Sequence, residues 1–297
     1  MDIVDCQVHL GPGGAAEMVA AMDALGIAAV LIDEWWMGKT LDPGYTLPNG
    51  AFRATAPTAE LASWTYPGRF SYLLRVYPDD PELESLIRQL RDATWCRALR
   101  IAPGINRHEL KRFEAGHYDR LFATASDCGL PICVAIPGHA DRLARYAAKF
   151  PAARIIVDHI GLRPGPEMRP MSIRLEGLPD SEAYWTQLGE EPIGEALDRV
   201  FRLADHPNIA LKWAHAPALF EMAGYPHLGI RPYLRKAVDA FGANRIMWAG
   251  DAQANSSGES WAELLFTIRN DPGLSDSEKA AILGGTARNW LDWEAVS

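Results

Sequence analysis

Apolar, strand-like runs recur along the whole chain, at residues 3–10, 28–32, 70–77, 96–101, 131–136, 154–160, 209–215 and 246–251. Segments with apolar residues at helical spacing separate them, among them "AAEMVAAMDALG", "PELESLIRQLRD", "YDRLFATASDCG", "HADRLARYAAKF", "GEALDRVFRLADHP" and "IRPYLRKAVDAFG". Several of these close on Gly or Pro, where a helix stops. Most strands are continuously apolar rather than alternating, as in a parallel sheet covered by helices on its outer face. Eight strands alternating with helices over ~250 residues predict an α/β fold, a (β/α)8 TIM barrel spanning 1–297 as one domain. Long segments after strands 2 and 6, at 35–69 and 161–192, read as loops over the barrel mouth. A doubly wound sheet is the competitor, but the "GPGG" after strand 1 lacks the spacing of a dinucleotide-binding turn and reads as a plain turn.

Composition narrows the function more than the fold. Of the 297 residues 48% are hydrophobic and 23% charged, which suits a globular chain, and the formal net charge is −9. An acidic surface argues against a nucleic-acid partner, because phosphate binding needs clustered basic residues. No apolar run reaches the ~20 residues that span a bilayer, and no signal-peptide pattern opens the chain, so no membrane association and a cytoplasmic location are expected. Cys6, Cys96, Cys128 and Cys133 show no metal-ligand spacing and sit in or beside apolar runs, so they are expected as buried free thiols.

A barrel builds its active site at the carboxyl ends of its strands. Reading those ends off the chain gives Gln7 and His9 on strand 1, Asp33, Glu34 and Trp35 on strand 2, and Arg97 and Arg100 on strand 4. Strand 6 ends in His159, strand 7 in Lys212 and His215, and strand 8 in Asp251. Strict alternation in "IVDCQVHLG" puts Asp5, Gln7 and His9 on one face and Val4, Cys6 and Val8 on the other. Helix capping explains any one of these polar groups; it explains their convergence from at least five strands poorly. Asp33 and Glu34 are read as strand-end caps. His108, His117, His206 and His227 are read as surface or capping groups, and Trp35 as a wall of an apolar or aromatic substrate slot.

Five motifs lie in register from residue 3 to 291: "IVDCQVHL", "RIIVDHIGLRP", "LADHPNIALKWA", "AFGANRIMWAGD" and "AILGGTARNWL". They resemble, in order, the D-x-H-x-H, V-D-H-x-G-x-P, H-P-N-V-x-x-K-x-S, F-G-x-x-R-x-x-W-G-S-D and I-x-x-x-N-A-x-x-L segments of the amidohydrolase superfamily. The branch is that of the 2-pyrone-4,6-dicarboxylate and sugar lactonases. The resemblance implies an enzyme whose strand-8 Asp251 is the general base and whose His9 and His159 polarise the carbonyl under attack. It also exposes departures. Gln7 stands where the family has its first His, strand 5 ends without one, and "GSDWP" has become "AGDAQ". The resemblance implies hydrolysis of a small cyclic ester, and these departures point to a metal-independent or weakly metal-dependent reaction, zinc or manganese being the open alternative. Gln7, Arg100, Lys212, His215 and Trp35 are then substrate-binding candidates, Arg100 and Lys212 for a substrate carboxylate. A metal-dependent decarboxylase of an aromatic or muconate-type acid, and a barrel that binds a metabolite without turnover, are the competing readings. The partner expected is a small molecule, and a homodimer is compatible with family members that occur as monomers or dimers.

Overall fold

The computed structural model describes residues 1–10, 14–35, 43–104, 107–163, 191–214, 224–251 and 260–294. Strands β1 (Val4–Val8) and β2 (Ala29–Asp33) precede a small antiparallel pair, β3 (Gly44–Thr46) and β4 (Phe52–Ala54). Then come β5 (Phe70–Arg75), β6 (Cys96–Ile101), β7 (Ile132–Val134), β8 (Ile155–Val157), β9 (Ile209–Ala214) and β10 (Ile246–Ala249). The large strands hydrogen-bond in the order β1-β2-β5-β6-β7-β8-β9-β10, every pair parallel. All eight strands expected from the apolar pattern are present, and they form the (β/α)8 barrel. Helices α1 (Ala15–Leu25), α2 (Pro57–Thr65), α3 (Leu83–Asp92), α4 (Arg107–Glu114), α5 (Asp119–Cys128), α6 (Leu143–Lys149) and α7 (Ile193–Phe201) pack outside. They are followed by α8 (Arg231–Phe241), α9 (Trp261–Arg269), α10 (Asp276–Ala280) and α11 (Thr286–Trp290). α3 shows the packing logic plainly: Leu83, Ile87 and Leu90, at helical spacing, are its buried residues.

Two cores result. Between sheet and helices lies a large one containing Ile3, Val8, Leu10, Met18, Phe70, Leu99 and Val157. Inside the barrel Val4, Cys6, Leu31, Leu73, Ala98, Cys133, Ile156, Ala210 and Met247 fill the lumen, with Trp290 and Trp293 of the last turn in the same cluster. All four cysteines are free thiols; three are buried and Cys128 is half-buried.

β1 departs from strict alternation, and the site depends on that departure. Its register to β2 runs Val4↔Ala29, Asp5↔Val30, Val8↔Ile32, so three steps on β1 match two on β2. One extra residue forms a β-bulge and reverses the facing of everything after it. Val4 and Cys6 therefore face the lumen, and Val8, two residues on, joins the outer core instead. Asp5 does not share a face with Gln7 and His9 as alternation requires; the bulge turns those two inward and leaves Asp5 on the outer side. The Gln7 N–H donates to the Asp5 carboxylate at 2.9 Å.

The same carboxylate serves the β1–β10 seam. It accepts the Gly250 N–H at 2.9 Å and the Trp261 indole N–H at 2.7 Å. Burial pushes the Asp5 carboxyl up to about 7, against these donors. Beside it the Asp251 N–H donates to the Gln7 carbonyl at 2.7 Å, bringing the first and last strands together at the mouth.

The segment 35–69 is not simply a loop. Beyond residues 36–42, which lie outside the described residues, it holds β3, β4 and α2. Pro57 sits at the start of α2, where its missing N–H costs nothing, but Ala56 offers no side-chain cap. The cap comes from Glu34, whose carboxylate accepts the N–H groups of Thr58 (3.2 Å) and Ala59 (2.8 Å). Glu34 is thus a capping residue as read from the sequence, but of a helix more than twenty residues away. Most of 161–192 lies outside the described residues; α7 begins at its end.

Candidate active site

Asp251, directly after β10, is the centre of the polar cluster at the mouth. His9 Nε2 lies 2.7 Å from its Oδ1, and the Gln7 amide donates to the same oxygen at 2.8 Å. His159 Nε2 lies 3.0 Å from Oδ2. Three residues, two from the end of β1 and one from the tight turn after β8, thus converge on one carboxylate that is 4% exposed. His159 is the outermost of the group, its side chain a quarter exposed, whereas those of His9 and Asp251 are buried.

The backbone at these positions is strained. Asp251 (φ 51°), His159 (φ 51°) and Ile160 (φ 57°) are all left-handed, and Gly161 (φ 66°) continues the turn. A β-branched residue is rare in that region, and each such residue costs ~1–3 kcal/mol. Gly161 is required twice over, by its φ and because a Cβ would lie 2.6 Å from the Ala140 Cβ. The strain turns His159 off the line of β8, to where it meets Asp251.

His9 is fixed from its other side. Its Nδ1 lies 2.9 Å from the Asp33 carbonyl oxygen and 3.5 Å from Asp33 Oδ2, so Nδ1 carries a proton. Its Nε2 faces Asp251 Oδ1, so the two groups are placed to pass a proton between them. Burial holds the imidazole below its ordinary 6.5, the Asp251 charge and hydrogen bond work against that, and Arg100 and Arg75 reinforce it. The Trp35 ring stands edge-on to His9 at 5.1 Å.

Beneath this layer runs a chain of ion pairs. Arg75 grips Asp33 through two hydrogen bonds, at 3.0 and 2.7 Å. Arg100 pairs with Asp33 through Nη1 and with Asp158 through Nε at 2.9 Å. Lys212 Nζ lies 2.9 Å from Asp158 Oδ1 and donates to Gln7 Oε1 at 3.0 Å. Burial alone would raise Asp158, but Lys212, Arg100 and His159 hold it below its ordinary 3.8. Burial works against the Lys212 charge too, and Asp158 more than offsets it, so the ammonium is held above 10.5.

The structure therefore brings Gln7, His9, Arg100, His159, Lys212 and Asp251 together, with Trp35 at the edge. His215 lies outside the described residues. Lys212 is fully buried and Arg100 7% exposed, both already paired with carboxylates. Arg97, four residues before the end of its strand, bonds Ser71 and the Asp292 carbonyl, away from the cluster. His227, read as a surface or capping group, is buried at 5% exposure in a left-handed conformation. The sequence reading overlooked Arg75, Asp158 as a partner of two cations, and Asp33 as more than a cap. The available signal was a charge closing an otherwise apolar strand, as in "FSYLLR".

The family model described as Amidohydrolase matches residues 4–293. The chain belongs to the amidohydrolase family. Among characterised relatives, the L-fucono-1,5-lactonase of Burkholderia ambifaria is 30% identical over 159 residues, 51% of this chain. The match spans 46%, about half, of that relative's length. Among solved structures, an amidohydrolase from Burkholderia multivorans with bound zinc superposes with a TM-score of 0.74 at 16% identity, covering 99% of this chain and 100% of the other. A putative 2-pyrone-4,6-dicarboxylic acid hydrolase from Pseudomonas putida gives 0.66 at 16% identity, covering 99% and 98%. At such identities the two structures speak for the fold.

The zinc-bound relative raises the question of whether the residues here suit a metal. A catalytic zinc takes about three His, Cys or carboxylate ligands and keeps one open position. Here His9 and His159 turn their Nε2 atoms onto opposite oxygens of Asp251, not toward a common point. Gln7 could ligate only through Oε1, and that oxygen already accepts from the Lys212 ammonium. Among the described residues no group of three or more His, Cys, Asp or Glu is arranged to hold a metal ion. Among the described residues, the side chains that meet at Asp251 do not fit a catalytic zinc.

Proposed function

We propose that the protein is a lactonase that hydrolyses a small, uncharged cyclic ester, of the sugar-lactone kind, without a metal. The observation that carries this reading is the Asp251 carboxylate ringed by His9, His159 and the Gln7 amide. Asp251 takes a proton from water, and the water oxygen bonds to the ring carbonyl carbon. General-base assistance of this type contributes about 10²–10⁴-fold. His159, the group nearest solvent, donates to the carbonyl oxygen as it becomes negative, a contribution of roughly 10²–10³-fold. Collapse of the tetrahedral intermediate breaks the ring C–O bond. The proton that Asp251 took from water passes by way of His9 to the leaving alkoxide, giving the open hydroxy acid and restoring the base.

The preference for an uncharged substrate follows from charge balance. Asp33, Asp158 and Asp251 face Arg75, Arg100 and Lys212 within the cluster, and each of these cations already contacts a carboxylate. Arg100 and Lys212 are therefore assigned to holding the site together, not to gripping a substrate carboxylate. The lactonase relative favours the same substrate class. Trp35, beside His9, lines the wall against the apolar face of the ring.

The test is hydrolysis of a panel of sugar 1,4- and 1,5-lactones beside 2-pyrone-4,6-dicarboxylate, with elemental analysis and chelation before assay. Turnover of a neutral lactone that survives chelation and is abolished by Asp251→Asn is expected. Activity that requires zinc or manganese, or that is confined to the dicarboxylate, refutes the proposal and turns the search to decarboxylases and metal hydrolases.

A further inference from the structure

We infer that Lys212, acting through Gln7, is a positioning residue that aims the Gln7 amide N–H at Asp251 and keeps a divalent cation out of the site. The inference rests on the lactonase reading only for its catalytic part. An amide can be turned either way round, and here the surroundings choose. The Lys212 ammonium has only donors to offer, so the Gln7 oxygen must face it, which it does at 3.0 Å. The amide nitrogen is thereby committed to Asp251 Oδ1, 2.8 Å away. Lys212 cannot turn elsewhere: it is fully buried, ion-paired with Asp158 at 2.9 Å and set against the Cys133 thiol. Arg100 holds Asp158 in turn, at 2.9 Å from Nε.

This arrangement places a fixed positive charge one hydrogen bond from the only atom of Gln7 able to ligate a metal. A second, divalent charge at that atom would be repelled strongly at such range in a buried site. The family's His at this position would offer its lone pair where the amide now offers a proton. Gln7 and Lys212 therefore form one unit, and changing either alone leaves the other mismatched.

The experiment measures zinc by titration calorimetry and by metal content after dialysis, for wild type, Gln7→His and Gln7→His/Lys212→Met, each checked for cooperative urea unfolding. Wild type and Gln7→His should retain under about a tenth of an equivalent. The double variant, with two histidines and Asp251 free of the ammonium, should bind at least about a hundredfold more tightly than Gln7→His and approach one equivalent. Near-stoichiometric zinc in wild type or in Gln7→His overturns the inference, as does a folded double variant that binds no better than Gln7→His. Gln7→Glu gives an independent reading that leaves Lys212 paired. It replaces the donor to Asp251 by a like charge, so kcat should fall at least tenfold at neutral pH and recover as pH is lowered, with KM within about threefold. An unchanged pH profile overturns the positioning role. If the zinc results come out as expected but wild type opens no lactone, the lactonase proposal fails and the exclusion of metal stands.

Discussion

Replacing Gly250 by Ala adds one methyl group where the structure leaves no room. A Cβ there would lie 2.5 Å from Asp5 Oδ2 and 2.7 Å from the Trp261 indole Cδ1 and Nε1. The Gly250 φ is not left-handed, so space alone is at issue. The methyl must separate Asp5 from Trp261, breaking their 2.7 Å hydrogen bond and disturbing the Gly250 N–H bond to the same carboxylate. Overpacking costs about 1–3 kcal/mol. A lost hydrogen bond to a charged group costs about 1.5–3 kcal/mol. Together they give roughly 3–5 kcal/mol, a large part of the ~5–15 kcal/mol that holds a typical domain folded. For a chain of this size that lowers Tm by roughly 6–15 °C. Gly194, second in α7, has nothing within 4 Å of its added Cβ, so Gly194→Ala should be neutral or stabilise by up to about 1 kcal/mol. Urea unfolding of both variants beside wild type measures the two effects. Because Gly250 adjoins Asp251, Gly250→Ala should also lose most lactone turnover. A Gly250→Ala protein within 1 kcal/mol of wild type would show that the seam is looser than the distances say, and would refute the argument.

Asp251→Asn should lower kcat about 10²–10⁴-fold with little change in KM; a loss under tenfold, measured on the best lactone, removes Asp251 from the role of base. Asp158→Asn leaves the buried Lys212 ammonium without its carboxylate and should destabilise by about 3–5 kcal/mol in urea unfolding; a change under 1 kcal/mol means the ion-pair chain is not what anchors the mouth. Asp5 titrates at about 7 in the folded chain against an ordinary 3.8, so its contribution to stability is full below pH 4 and is lost as pH rises through 7. The stability of wild type relative to Asp5→Asn should therefore fall between about pH 4 and pH 7 and level off above, and a difference that stays flat across that window contradicts the assignment.

The barrel was legible from the chain because its strands are buried on both faces, which leaves continuous apolar runs, and because the helices between them carry one apolar stripe each. The convergence of Gln7, His9, His159 and Asp251 was legible too, since strand ends in such a fold meet at one mouth. What escaped was everything non-local or off-period. α2 was hidden because its N-terminal cap is Glu34, in a different part of the sequence. The bulge in β1 has no residue signature in "DCQV"; it exists because Asp5 accepts the Gln7 N–H while also serving Gly250 and Trp261 from the far end of the chain. Arg75 and Asp158 carry no local signal of their partners, and only the folded barrel shows that they are links in one ion-pair chain. The left-handed turn at His159–Ile160 could not be expected from Ile160, a residue type that resists it.

The seam that joins β1 to β10 also sets the order in which the protein can become active. Gln7 and Asp251, bonded to each other, are 244 residues apart in the chain, and Asp5 and Gly250 are separated by 245. Contacts of such long range form late and slowly compared with those inside a βα unit. A chain made only as far as β9 carries Gln7, His9, His159 and Lys212 but lacks Asp251, the carboxylate on which the first three converge. On the proposed mechanism such a chain has no base and stays inert until β10 docks. In refolding from urea, recovery of lactone turnover should lag behind recovery of helical circular dichroism; simultaneous return of the two would mean that the seam closes early.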